Sequence, residues 1–269
     1  MTVGPDLARR TCSAAILIPL VLGVTIWGGP LFSLLWVVAA AAVLYEWGHV
    51  ARLERPWPYF GLGLAGICAA LVCLAFDQDG LAFALLLAAA IAGASVGGRR
   101  RAAAFGIAVA AAACVPVVML RGDDRVGLTA ILFIYAIIWS TDIGAYFVGR
   151  TVGGPKLWPR LSPNKTWSGA LGGAVIGTLA GCALLVAMGL KFTLAMLVLG
   201  LVLSVAGQLG DLAESAFKRA YGVKDAGRLI PGHGGVLDRL DGFIAAIVMA
   251  LAIGLLRSPD MPASGLLLW

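Results

Sequence analysis

Acidic and basic side chains at helical spacing follow an apolar run near the C-terminal end of this 269-residue chain. They recur at intervals of three and four residues, so on a helix they would share one face: Asp211, Glu214, Ser215 and Lys218. A carboxylate at the end of a membrane helix is costly unless it is paired or binds an ion. The pattern therefore predicts either an ion-binding helix end or a solvated face with a Glu214–Lys218 pair.

A second group of charges precedes the last apolar run, in the stretch PGHGGVLDRLDG. Asp238 and Asp241 are three residues apart, so on a helix they point the same way near its N-terminus. Helix capping explains one such carboxylate, but it does not explain two of them with Arg239 between. Gly234 and Gly235 let backbone approach a ligand closely. Hard cations such as Mg²⁺ are commonly held by one or two carboxylates plus substrate phosphates.

A further carboxylate, Asp142, lies in WSTDIGAYFVGR, at the inner end of an apolar run. An ionisable residue at such a position indicates a functional site. The alternative is a buried aspartate whose hydrogen bonds come from Ser140 and Thr141.

The stretch KLWPRLSPNKTWSG brings basic and hydroxyl residues together directly before another apolar run. Backbone N–H groups at the start of that helix, together with Lys165, would suit a phosphate. The alternative is a basic loop that only orients the chain in the membrane.

Carboxylates and cationic side chains on one membrane face favour divalent-metal-assisted chemistry on phosphates. Zinc hydrolysis and serine-hydrolase chemistry are disfavoured, because the sequence has no HExxH, no second histidine at metal-ligand spacing from His233 and no GxSxG. The five cysteines fall in or beside apolar runs and form no CxxC pair, which indicates core residues rather than a disulfide framework.

Membrane helices must position these residues. Hydrophobic residues make up 61% of the chain and charged residues 13%, and the mean hydropathy of +0.95 is typical of integral membrane proteins. Because a span needs about 20 apolar residues, we predict an all-α, polytopic protein with about nine transmembrane helices, at 12–29, 31–50, 58–76, 80–97, 103–120, 127–148, 167–189, 192–210 and 243–257. The first span is expected to be retained, since no small-residue cleavage site follows it.

The basic residues predict the orientation of these spans. With nine helices and a cytoplasmic N-terminus, only four of the 20 Lys and Arg residues fall on the outer side, namely Arg121, Arg125, Lys191 and Arg257. This asymmetry obeys the positive-inside rule. The inner face therefore suits anionic lipid headgroups or an anionic substrate.

We divide the chain into two functional regions. Residues 1–126 are predicted to be a scaffold of lipid-facing membrane helices. Residues 127–269 are predicted to be a catalytic membrane region with two polar cytoplasmic loops, 149–166 and 211–242. Glu46, the exception in the scaffold, lies beside aromatic residues at a helix end and is interpreted as an interfacial anchor.

The stretch SAFKRAYGVKDAGRLIPGHGGVLDRLD, residues 215–241, closely resembles the signature of the phosphatidate cytidylyltransferases, or CDP-diacylglycerol synthases. That pattern is Ser-x-apolar-Lys-Arg, four residues, Lys-Asp, and then Pro/Gly-x-His-Gly-Gly-apolar-x-Asp-Arg-apolar-Asp, and every specified position is met. The stretches GDLAES, TDIGAYFVGR and KLWPRLSPNKTWSG are similar to other segments of the family. The chain departs from the family at Ser168, where an acidic residue is usual.

The resemblance implies that CTP and phosphatidic acid react, with Mg²⁺, to give CDP-diacylglycerol and pyrophosphate. It implies that Asp211 and Asp238 bind the metal, with Asp142 a further candidate ligand, and it allows a monovalent cation such as K⁺ in the same site. The expected catalytic residues are Asp211, Asp238, Lys218, Arg239 and Asp241. The expected substrate-binding residues are Ser162, Lys165, Arg219, Lys224, Asp225, His233, Gly234 and Gly235; no individual role is assigned to His233.

Two other classes of protein are alternatives to a cytidylyltransferase. A transporter of phosphorylated solutes would explain the intramembrane charges, but no inverted repeat is found. A scaffold whose charges only fix topology would tolerate their loss. The CDP-alcohol phosphotransferases are disfavoured because no further aspartate follows Asp241-Gly242 up to Leu256. We expect a bacterial-type inner-membrane enzyme with its site facing the cytoplasm, membrane lipids and a second copy of the chain as partners, and no nucleic acid.

Overall fold

The chain is almost entirely helical in the computed structural model, which describes residues 5–122 and 124–269, with side chains from residue 11 onward. The elements in this part of the chain are α1 (Pro5–Trp27), α2 (Gly29–Val50), α3 (Pro56–Leu74), α4 (Asp79–Val96), α5 (Arg100–Arg121), α6 (Arg125–Thr151), β1 (Lys156–Trp158), β2 (Ser162–Thr166), α7 (Trp167–Ala187), α8 (Leu194–Ala220), α9 (Leu237–Arg257) and α10 (Pro262–Leu267).

Eight of the described helices, α2 to α9, are long and apolar enough to cross a membrane. The shorter apolar stretch Thr11–Trp27 in α1 adds to them. The predicted all-α, polytopic class with about nine membrane helices is therefore confirmed. In the same part of the chain all five cysteines are free; Cys114 and Cys182 are buried, whereas Cys12 and Cys68 are exposed, so the prediction of core residues holds only in part.

The polar loop is shorter than its predicted bounds of 211–242, because the helices on both sides extend beyond the predicted membrane spans, as the helical spacing of their charged residues allowed. Helix α8 continues to Ala220 instead of ending near residue 210, and α9 begins at Leu237 instead of residue 243. The stretch 211–220, DLAESAFKRA, contains three alanines and one each of leucine, glutamate, lysine and arginine, all of which favour helix. Hydropathy marks where a helix leaves the apolar layer, and the backbone hydrogen bonds continue beyond that point.

The polar loop 149–166 contains a β-hairpin that hydropathy did not predict. Strands β1 and β2 pair antiparallel, with Lys156 opposite Thr166 and Trp158 opposite Ser162. A two-stranded hairpin tolerates Pro163 in β2, because both strands are edge strands. A proline that faces the unpaired edge removes no hydrogen bond between the strands. The hairpin leads directly into α7, whose first turn is capped by the Thr166 hydroxyl accepting from the Gly169 amide at 3.1 Å.

The chain forms two compact units, each described by itself. One comprises Met1–Met119 and Ala220–Leu240, and the other comprises Leu120–Arg219 and Asp241–Trp269. The predicted division at residue 126 concerns function, and compactness does not test it.

Glycines at every fourth position of α7 let this helix pack against α6 in the second unit. A Cβ atom on Gly173 would lie 2.6 Å from the Thr141 carbonyl oxygen, and one on Gly177 would lie 2.8 Å from that of Ile137. Such small-residue faces let membrane helices approach backbone to backbone. The Thr141 hydroxyl also bonds Ser204 of α8 at 2.7 Å, so α6 is held to both neighbours.

Candidate active site

Backbone contact between α8 and α9 in the second unit brings two aspartates together. A Cβ atom on Gly210 would lie 2.6 Å from the Asp241 carbonyl oxygen and 3.2 Å from the Gly242 Cα. The absence of side chains at these glycines permits this approach. Asp211 directly follows Gly210 and Asp241 directly precedes Gly242, so both carboxylates lie beside the contact.

The carboxylates in this cluster repel one another. Asp241 is half-buried and interacts unfavourably with Asp211 and more weakly with Asp142, while Lys218 interacts with it favourably. Lys165, from strand β2, forms an ion pair with Asp211. The structure therefore brings Asp142, Asp211 and Asp241 near one another, with Lys165 and Lys218 as neighbouring cations.

Lys218 has a second partner one helical turn away. Its ammonium lies 2.6 Å from the carboxylate of Glu214, and both side chains are largely buried. The Glu214–Lys218 pair, one of the two readings of the helical pattern, is thus present. The solvated-face reading does not apply to Glu214, which is only 7% exposed.

The donor set of this cluster suits magnesium when phosphates supply the remaining ligands. Among the described residues no three His, Cys, Asp or Glu side chains are arranged as a metal cage. Mg²⁺ seldom uses such a cage and is usually held by one or two carboxylates plus substrate phosphates. Asp211 and Asp241 provide two carboxylates whose mutual repulsion a cation would relieve.

Arg219 and Ser168 contact the hairpin region of the second unit. Arg219, at the end of α8, approaches the Leu161 carbonyl oxygen at 3.5 Å, next to Ser162. Ser168 donates to the Gly153 carbonyl oxygen and lies 3.1 Å from the Thr166 hydroxyl. The residue that departs from the family pattern therefore stabilises the link between the hairpin and α7.

In the first unit, Asp238 is held by backbone amides of its own segment. Its carboxylate accepts from the Ala226 amide at 3.0 Å and from the Gly235 amide at 2.8 Å. Arg239 donates to the His233 carbonyl oxygen at 3.0 Å. Gly234, with φ of +89°, supplies the left-handed turn that this arrangement needs.

The carboxylate that meets the amides at the start of α9 is Glu46 of α2. Its oxygens accept from Val236 at 3.0 Å and from Leu237 at 2.8 Å. Asp238 does not cap α9, because it accepts from the Ala226 and Gly235 amides, which precede the helix. The capping alternative for this aspartate is therefore wrong. The interpretation of Glu46 as an interfacial anchor is also wrong, since its side chain is 1% exposed.

A surface pocket in the first unit contains further predicted binding residues. Its lining consists of Val223, Lys224, Asp225, Gly227 and Arg228. Two basic side chains beside glycine backbone suit a phosphate-bearing ligand. The sequence interpretation did not single out Arg228.

The predicted site residues thus fall into two groups. The second unit contains Ser162, Lys165, Lys218, Arg219, Asp142, Asp211 and Asp241, and the first contains the predicted residues from Lys224 to Arg239. Asp211 and Asp238 lie in different units, so their pairing as metal ligands stays a prediction.

Comparison with known proteins identifies the family of the chain. The sequence model described as the cytidylyltransferase family matches residues 8–256. The chain belongs to the cytidylyltransferase family. It is 39% identical over 267 residues to the phosphatidate cytidylyltransferase of Brucella suis biovar 1 (strain 1330), which covers 96% of this chain and 97% of that protein.

A second relative matches a shorter region more closely. The phosphatidate cytidylyltransferase of Bacillus subtilis (strain 168) is 54% identical over 126 residues, 46% of this chain and 47% of that protein. This cytidylyltransferase is therefore an enzyme of the nucleotidyltransferase class and an integral membrane protein.

Proposed function

We propose that this enzyme transfers the cytidylyl group of CTP to phosphatidic acid, giving CDP-diacylglycerol and pyrophosphate. The observation that carries the proposal is the cluster of Lys165, Asp211 and Asp241 at the α8–α9 contact. Such a cluster of lysine and carboxylates suits phosphoryl-type transfer, in which the protein positions reactants and stabilises charge. The name shared by the curated relatives identifies phosphatidate as the acceptor.

In the proposed reaction a phosphate oxygen of phosphatidic acid forms a bond to the α-phosphorus of CTP. The bond from that phosphorus to the oxygen bridging to the β-phosphate breaks, and its electron pair leaves with pyrophosphate. Lys165 would contact a phosphate oxygen once it exchanges its ion pair with Asp211 for the substrate. In the first unit, the pocket that contains Lys224 and Arg228 suits a phosphate-bearing ligand by its charge.

We propose Mg²⁺ as the cofactor, held by Asp211 and Asp241, with Asp142 nearby and Asp238 retained as a candidate from the family resemblance. When bound, the ion neutralises charge on the triphosphate and on the departing pyrophosphate. What supports this assignment is the repulsion between neighbouring carboxylates of the described chain. A monovalent cation such as K⁺ is proposed as a second ion in the same region.

We propose that the enzyme lies in a bacterial-type inner membrane with its active site facing the cytoplasm. The concentration of basic residues on one side of the predicted topology supports this orientation. The acyl chains of phosphatidic acid would remain in the bilayer while its headgroup enters the site. A homodimer is proposed on the Ala- and Gly-rich helix faces, which suit close packing.

The function is tested by incubating purified protein with phosphatidic acid, CTP labelled at the α-phosphate, and Mg²⁺. We expect the label in CDP-diacylglycerol and an equal amount of pyrophosphate, both abolished by chelation of the metal. Folded protein that forms neither product would overturn the proposal. Movement of a phosphorylated solute across vesicles without covalent change would instead support the transporter alternative.

A further inference from the structure

We infer that Glu46 is a positioning residue of this reaction, one that holds the segment 226–240 in the conformation the signature residues need. The inference rests on the proposed function for the role of that segment in catalysis. Glu46 lies in α2, about 190 positions away in sequence, within the region predicted to be scaffold. All the contacts that carry the inference lie within the first unit.

Glu46 provides acceptors for backbone amides at the start of α9. The first amides of a helix have no partner within the helix, and a buried N–H left without an acceptor is costly. Glu46 accepts from two of them, Val236 and Leu237, and its negative charge is favourable at a helix N-terminus. A cap is ordinarily a neighbouring residue in the chain; here it comes from another helix and so ties α9 to α2.

Backbone from two parts of the segment packs against the Glu46 carboxylate. A Cβ atom on Gly235 would lie 2.7 Å and 2.8 Å from the two Glu46 oxygens, and one on Gly227 would collide with the same group. Two parts of the segment therefore close around Glu46, and their glycines make room for it. The carboxylate fixes the spacing between these two parts as well as the start of the helix.

Asp238 contacts the same parts of the backbone as Glu46. Asp238 bridges the same two parts of the segment, since it accepts from Ala226 and from Gly235. Its orientation therefore depends on the spacing that Glu46 maintains. Glu46 itself is buried, so it acts on the reaction through the segment and does not touch a substrate.

The test is Glu46→Gln in the full-length protein. Glutamine keeps the shape but offers only one acceptor oxygen to the two amides. We expect faster hydrogen–deuterium exchange confined to residues 226–240. We also expect kcat to fall about 10- to 100-fold, since small misplacements of reacting groups have effects of this size, while the KM for CTP changes less than about threefold.

The matched control is Trp47→Phe, one position further along α2. It removes a buried hydrogen bond of similar quality, from the Trp47 indole to the Ala102 carbonyl oxygen at 2.8 Å, away from the segment. We expect Trp47→Phe to retain near-normal kcat even if it lowers the melting temperature. Equal loss of kcat in both variants would overturn the positioning role, because it would indicate general destabilisation.

Gly227→Ala provides an independent arm, because its added methyl group would displace Glu46 without removing the carboxylate. The same loss of kcat and the same increase in exchange support the inference; unchanged values in both Glu46→Gln and Gly227→Ala overturn it. If the wild-type protein makes no CDP-lipid, the proposed function and the catalytic half of the inference fail. Hydrogen exchange still decides separately whether Glu46 orders the segment.

Discussion

At the scale of single residues, the charge of Asp211 interacts with two groups of opposite effect. Lys165 pairs with it, and the neighbouring carboxylate of Asp241 repels it. Glu214 and Lys218 neutralise each other one turn further along α8. We therefore expect Asp211 to be a metal ligand whose partner Lys165 exchanges the ion pair for a substrate phosphate.

Asp211→Asn should lower cytidylyl transfer about 100-fold or more, because removal of a group that stabilises charge in the reaction has effects of that size. The measurement is the rate of CDP-lipid formation at saturating Mg²⁺ and CTP. Asp124→Asn is the matched control: Asp124 caps α6 by accepting from the Gly127 amide, and asparagine caps equally well. Full activity of Asp211→Asn would refute its role in metal binding.

Lys165→Met should lower kcat/KM for CTP about 100-fold by removing a cation directed at a phosphate. Lys191→Met removes the same charge from an exposed position outside the predicted site and should leave kcat/KM unchanged. If Lys165 serves only to neutralise Asp211, the double variant Lys165→Met with Asp211→Asn will be no worse than Asp211→Asn alone and Lys165→Met will leave the KM for CTP unaltered. That result would remove Lys165 from the substrate site.

At the scale of elements, glycines at helix contacts determine the positions of the carboxylates, because they let the helices approach closely. Gly210 and Gly242 allow α8 and α9 to touch, and Gly173 and Gly177 allow α7 to touch α6. These contacts set the positions of helix ends, whose side chains carry the chemistry. The same residue type thus supports both the packing of α7 on α6 and the geometry of the site.

Gly210→Ala should separate α8 from α9, because its methyl group would lie 2.6 Å from the Asp241 carbonyl oxygen. Overpacking of this kind costs about 1–3 kcal/mol, and the melting temperature and rate should both fall. Gly61→Ala in α3 is the control, since its Cβ has open space around it and alanine favours helix. Normal activity of Gly210→Ala would mean that the carboxylates tolerate a wider helix spacing.

The sequence alone predicts the membrane helices well, because an apolar run of the right length has few other outcomes. Hydropathy alone does not predict that α8 runs to Ala220 or that α9 begins at Leu237, because it detects only apolar runs; the helical spacing of the charged residues is the signal for these extensions. The sequence also cannot predict the contact of Glu46 with the start of α9, which depends on tertiary packing. The available signal was the rarity of a carboxylate in an apolar span, which the position of Glu46 beside aromatic residues at a helix end outweighed.

At the scale of the whole molecule, the charge distribution relates the enzyme to its two substrates. CTP is a polyanion that does not cross a bilayer unaided, and phosphatidic acid keeps its acyl chains within one. A basic inner face would therefore concentrate the nucleotide on the side where the predicted topology places the signature residues. The orientation of the enzyme therefore predicts the side of the membrane from which CTP reaches the active site.

Sealed vesicles of opposite orientation test this directly. Inside-out vesicles given external CTP, Mg²⁺ and phosphatidic acid in their bilayer should form CDP-lipid at once. Right-side-out vesicles should form it only after detergent opens them, because intact ones exclude the nucleotide from the cytoplasmic face. Detergent-treated samples of both kinds control for enzyme amount and should have equal rates. Full activity of intact right-side-out vesicles would reverse the orientation inferred from the positive-inside asymmetry.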